Sequence, residues 1–119
     1  MSSKKERRQK GREFEKAAEN YLIRQGYEIL ERNWMAGHKE IDLIAGKEKT
    51  VVFVEVKSSR NLQYGHPAER VDNRKRQNLI DAARQYIIAR ELHGVDFRFD
   101  LITFLEGKLE HYPDAFQVE

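Results

Sequence analysis

Residues 50–57 read TVVFVEVK, a β-branched and nearly continuous apolar run with one carboxylate inside it. Such a run is the pattern of a strand covered on both faces, and hence of the central strand of a sheet. An isolated charge in that setting is strongly unfavourable, so Glu55 requires compensation from something beside it. The covering layers must come from the same chain, whose 119 residues suffice for one domain with a single core.

Those layers are legible. Phe14, Ala17, Ala18, Tyr21 and Leu22 form one apolar stripe at helical spacing, and Gly26 stands where a C-cap glycine stops a helix. Asp72 or Asn73 caps a second helix running to about Glu91, with Leu79, Ala83, Tyr86 and Ile87 as its inner stripe and Gly94 ending it. Strands are expected at 27–34, 41–45, 50–57, 97–105 and 109–112, the last two joined by a tight Glu106-Gly107 turn. Residues 61–67 read as a loop with Gly65 and Pro67 as breakers, residues 1–10 as a basic arm and 113–119 as a tail. The order is α, three β, α, two β, without internal repeats.

Composition removes several functions. The chain has no cysteine, which excludes disulfide scaffolds, thiolate zinc sites and cysteine nucleophiles and fits a reducing cytoplasm. Its longest apolar runs are four residues, 51–54 and 86–89, far short of the roughly 18 that a spanning helix needs. The charged N-terminus has no apolar segment of the kind a secretory signal carries. His38, His66, His93 and His111 form no zinc-binding spacing, and the glycines form no phosphate-binding loop. Trp34 and Tyr64 are single aromatics, more often core or rim residues than base-stacking platforms. The net charge of +2 hides a division: residues 1–16 carry seven Lys/Arg against three Asp/Glu, residues 57–90 eight against three, and the C-terminal end is acidic. A basic arm and a basic helix, with Arg74, Lys75 and Arg76 on its first turn, suggest a face for a polyanion such as DNA; solvated helix faces are the other reading.

The chemistry gathers around Glu55. A hairpin with residues 47–50 as its loop pairs Gly46 with Val51 and sets Asp42 opposite Glu55, with Lys57 diagonal to Asp42 and Glu40 facing Lys57. Opposite residues share a face, with Cβ atoms roughly 4.5–5.5 Å apart, close enough for two carboxylates to hold one cation. Two carboxylates and a lysine suit metal-assisted phosphodiester hydrolysis with Mg²⁺ or Mn²⁺. The Val56 main-chain carbonyl offers another ligand. An internal ion pair of Asp42 or Glu55 with Lys57 accounts for the same residues without a metal.

Asp42 followed by Glu55-Val56-Lys57 resembles the PD-(D/E)xK site of restriction-endonuclease-like nucleases. More broadly, the stretches 11–15, 39–45, 53–57 and 98–100 resemble the YraN-like family of bacterial proteins, itself similar to archaeal Holliday-junction resolvases. Lys39 replaces a glycine of that pattern, and Ser58-Ser59 its usual Thr-Arg. The resemblance implies an α/β fold of restriction-endonuclease-like type: a mixed central sheet flanked by two helices. It implies Asp42 and Glu55 as metal ligands, Lys57 as the catalytic cation, Glu15 as a helix-borne carboxylate completing the site, and Glu40 as an outer-shell group. It also implies DNA, branched or junction DNA included, as substrate, and a homodimer would suit two-fold junctions. Glu19, one turn along from Glu15, is expected to be silent. Against the metal-dependent deoxyribonuclease stands a non-catalytic nucleic-acid- or partner-binding module that retains the fold.

Overall fold

The computed structural model describes residues 4–59, 66, 68 and 72–118, the first seven of these as helix backbone only. Helix α1 (Lys4–Arg24) is followed by strands β1 (Glu28–Ala36), β2 (Lys39–Lys47) and β3 (Thr50–Ser59). Helix α2 (Asn73–Ala89) then leads to β4 (Asp96–Leu105) and β5 (Lys108–Phe116). The five strands lie in one sheet in the order β1-β2-β3-β4-β5. Neighbours are antiparallel except β3 and β4, which are parallel across the α2 crossover. This is the mixed sheet with two helices that the sequence predicts, and the Glu55 strand is its centre.

Alternation on β3 divides the core in two. Val52 and Val54 face α1, where Ala18 and Leu22 pack on Leu43, Ala45, Ile102 and Phe104. Val51 and Phe53 face α2, where Leu79, Ala83 and Tyr86 pack on Ile44, Phe99 and Leu101. Trp34 belongs to this second layer, edge-on to Tyr86 with ring centroids 5.2 Å apart, so it packs instead of presenting a base-stacking face. The loop expected at 61–67, Tyr64 included, lies outside the described residues apart from His66.

Local chemistry sets the ends of the elements. Gly26 has φ +92°, the left-handed conformation that closes a helix without a Cβ penalty. Asp72 is the cap of α2, accepting from the Lys75 amide at 2.9 Å, and the helix stops at Ala89, two residues before Glu91. Glu106 and Gly107 both have positive φ, as a two-residue type I′ hairpin turn requires. The β2–β3 ladder runs on to Lys47 and Thr50, so its loop is two residues rather than four, while the expected register holds.

Two terminal expectations need correction. Helix α1 begins at Lys4, so most of the supposed basic arm is helix; lysine, arginine, glutamate and glutamine all favour that state. Residues 113–116 are strand and not tail. Pro113 and Asp114 sit in an irregular stretch of an edge strand, where a missing N–H is tolerated. Beyond it Phe116 pairs with Phe99, their rings stacked 4.9 Å apart.

The α1 face encloses a second feature. Asp100, fully buried, takes both Nε and a terminal nitrogen of Arg98 at 2.8 Å, His111 Nε2 at 2.7 Å and the Asp114 amide at 3.0 Å. Arg98 donates onward to the Tyr27 hydroxyl, and Tyr21 bonds His111 Nδ1. One carboxylate thereby ties β4 and β5 to α1 and to the start of β1.

Candidate metal centre

Beyond the Leu43–Val54 pair the β2–β3 ladder stops. Asp42 and Glu55 are consequently not a ladder pair: the Asp42 carboxylate takes the Val56 amide at 2.8 Å, a side chain replacing the next rung. A strand residue directs its N–H and C=O to the same neighbour, so the Val56 carbonyl also faces β2. Nor does Glu40 face Lys57 across the ladder.

Glu55 is 3% exposed. Its Oε1 lies 3.3 Å from the ammonium of Lys57 and 3.3 Å from that of Lys75, brought in by the first turn of α2. Its Oε2 is buried and has no hydrogen-bond partner among the described residues. Glu15, Glu40 and Asp42 each offer an oxygen, and the three lie within 4.8 Å of one another. Oxygens bound to one ion at 2.0–2.6 Å are at most about 5 Å apart, so this spacing fits a single cation. Helix α1 contributes Glu15 and β2 the other two. Asn33 spans the gap, its amide donating to both Glu15 oxygens at 3.0 Å and to Glu40 at 3.1 Å.

The electrostatics record this crowding. Burial pushes Asp42 up to about 8, with the charges of Glu55, Glu15 and Glu40 adding to it against the Val56 hydrogen bond. Burial likewise raises Glu15, reinforced by Glu40 and Glu55 and opposed by the Asn33 hydrogen bond and the charge of Arg12. Carboxylate oxygens are the donor type that hard divalent cations take.

The geometry rearranges the expected site. Glu15, Asp42 and Glu40 come together, each offering an oxygen to the same small space. Glu55 and Lys57 are paired beside this cluster. Arg74 and Arg76 are exposed, the latter 5.6 Å from the Phe116 ring centroid, whereas Lys75 turns inward. Lys39 bonds Asp81 of α2 at 2.8 Å, fixing the start of β2. Glu19 is a buried ion-pair partner of Arg32, so its carboxylate is committed to a cation of the chain and stands outside the Glu15, Glu40 and Asp42 group. Asn33 is the residue that the sequence left unmarked. Its one signal is an asparagine in a strand next to Asp42, holding φ +48°, a conformation asparagine tolerates better than most.

A mixed five-stranded sheet with a helix on each face, and carboxylates gathered where β2 parts from β3, defines an α/β protein of restriction-endonuclease-like architecture. Within that class the chain belongs to the family described as Uncharacterised protein family UPF0102, whose model matches residues 14–104. It is 39% identical to a UPF0102 protein of Persephonella marina over 110 residues, covering 92% of this chain and 95% of that one. It is 46% identical to one of Chloroherpeton thalassium over 95 residues, covering 80% and 74%. It is 42% identical to one of Clostridioides difficile over 111 residues, covering 92% and 97%. Among the described residues no helix is long and apolar enough to cross a membrane.

Proposed function

We propose that this protein is a metal-dependent endonuclease that hydrolyses DNA phosphodiester bonds, branched DNA included. The observation that carries the reading is the Glu15, Glu40 and Asp42 cluster at the parting of β2 and β3, with Glu55 and Lys57 paired beside it and one buried Glu55 oxygen lacking a donor among the described residues. Asp42, Glu55, Glu15 and the Val56 carbonyl would hold Mg²⁺ or Mn²⁺, with Glu40 at hand. A bound cation supplies polarisation of the phosphoryl oxygen and neutralises charge. Asn33 orients Glu15 and Glu40 by its two-way hydrogen bond. Lys57, about one-third exposed, is free to stabilise charge developing on a phosphate at the mouth of the site. Arg74 and Arg76 supply exposed cations for the flanking backbone. A homodimer would suit a two-fold substrate.

One observation favours a non-catalytic binding module: without metal, Glu55 already has two ammonium partners. Incubation with linear, flapped and four-way DNA, with and without Mg²⁺ or Mn²⁺, separates the two. Metal-dependent cleavage by the wild type and its loss in Glu55→Gln is expected. Retained DNA binding with no cleavage under either ion assigns the binding module instead.

A further inference from the structure

Two lysines converge on a single carboxylate oxygen beside the acidic cluster. Lys57 and Lys75 both lie 3.3 Å from Glu55 Oε1, so each attracts the carboxylate while repelling the other. Their side chains are 30% and 34% exposed, against 3% for Glu55, so both ammonium groups already reach the solvent side of a buried anion. Lys57 is held by the central strand. Lys75 lies on the first turn of α2 between Arg74 and Arg76, both exposed.

We propose that Lys75 is an exchangeable counter-ion of Glu55, passing to a non-bridging phosphate oxygen of bound nucleic acid when a divalent cation takes the Glu55 carboxylate, so that cation and nucleic acid bind cooperatively. The inference rests on the reading of Glu55 as a cation ligand. Its logic is electrostatic. A divalent cation at Glu55 neutralises the charge that retains Lys75, and a phosphate that draws Lys75 away leaves Glu55 with a stronger pull on the cation. Each ligand thereby removes a cost from the binding of the other, and linkage makes the effect reciprocal. Lys75 is thus a different kind of residue from Arg74 and Arg76, which need no metal to hold a phosphate.

The test is calorimetric titration of Ca²⁺, the probe cation, into the full chain alone and saturated with a short DNA duplex, the duplex alone serving as blank. Cleavage is monitored in the same samples. The wild type should bind Ca²⁺ about fivefold or more tightly with DNA than without, within the usual range of such couplings. Lys75→Ala should bind Ca²⁺ without DNA at least as tightly as the wild type, because a competing cation is gone, and DNA should raise its affinity by a clearly smaller factor than in the wild type. Lys75→Gln, which keeps length and hydrogen bonding without charge, should behave the same way and serves if the alanine variant fails to fold. Unchanged coupling in both variants, or weaker Ca²⁺ binding without DNA, overturns the exchange and makes Lys75 a fixed clamp. A wild type that binds no divalent cation overturns the metal reading itself, and this inference with it.

Discussion

Glu15 and Glu19 stand one helical turn apart on α1, about 5.4 Å of rise, and differ in what reaches them. Glu15 holds its proton more tightly than usual through burial, reinforced by Glu40 and Glu55 and only partly opposed by the amide that Asn33 donates to it. Glu19 receives the Arg32 guanidinium through two nitrogens, and that hydrogen bonding pulls its carboxyl below its ordinary value. The two substitutions should therefore separate cleanly. Glu15→Gln lowers cation affinity and metal-dependent cleavage with little change in stability, since it relieves repulsion among carboxylates. Glu19→Gln leaves cation affinity alone and lowers stability by about 1 kcal/mol, a hydrogen-bonded pair discounted for the exposure of Arg32. Urea midpoints and calorimetric titration check the pair. Equal midpoints for Glu19→Gln and wild type would show that the Arg32 contact contributes nothing.

At the scale of elements, β5 is the clearest case of structure exceeding its local signal. Pro113 and Asp114 look like an ending, yet Phe116 re-forms the pair with Phe99 and the Asp114 amide completes the Asp100 site. A chain ending after Tyr112 should lose about 3 kcal/mol, from the apolar area of Phe116 together with a hydrogen bond to a buried carboxylate. Denaturant unfolding measures this, and an unchanged midpoint would make 113–116 dispensable. The β2–β3 register, in contrast, was legible: a fixed loop position and a period of two leave one alignment that buries the apolar set. That alignment put Asp42 and Glu55 on neighbouring strands at the same level. It could not give the end of the ladder, because the Val56 amide goes to a side chain there, nor the approach of Lys75, which depends on how α2 crosses the sheet. Asn33 was hidden for a related reason, as its φ follows from the fold and not from its neighbours in sequence. The carboxylates that carry the candidate chemistry, and Lys57 beside Glu55, were thus readable, whereas Lys75, Asn33 and the Val56 amide were not.

Across the whole molecule, two carboxylates of the sheet, Asp42 and Asp100, pull stability in opposite directions with pH. Burial alone would raise Asp100, but hydrogen bonds from His111, Arg98 and the Asp114 amide outweigh it and hold it below its ordinary 3.8. Folded Asp100 therefore binds fewer protons than unfolded Asp100, and its stabilisation is fully present above about pH 4 and lost as pH falls through the folded value. Asp42 has the reverse sign. Burial and its carboxylate neighbours push it from 3.8 up to about 8, so between those values the folded protein holds a proton that the unfolded chain has released. Metal-free stability should thus fall as pH rises from about 4 to about 8 and level off above, by an amount on the order of a few kcal/mol. The metal-free profile then peaks on the acid side, near pH 4 to 5. A divalent cation displaces that proton and offsets the repulsion, so saturating Mg²⁺ should flatten the alkaline limb and release protons on binding near pH 7. Asp42→Asn should flatten the same limb without metal, raise the melting temperature at about pH 8 and abolish the response to Mg²⁺. Asp100→Asn should be less stable throughout, with a weakened acid limb. Thermal melts from about pH 3 to about pH 9, with and without Mg²⁺, read both limbs in one series. A metal-free profile that is flat or rising from about pH 4 to about pH 8 would mean that Asp42 ionises like an exposed carboxylate, and that the Glu15, Glu40 and Asp42 cluster is not held together in the absence of a cation.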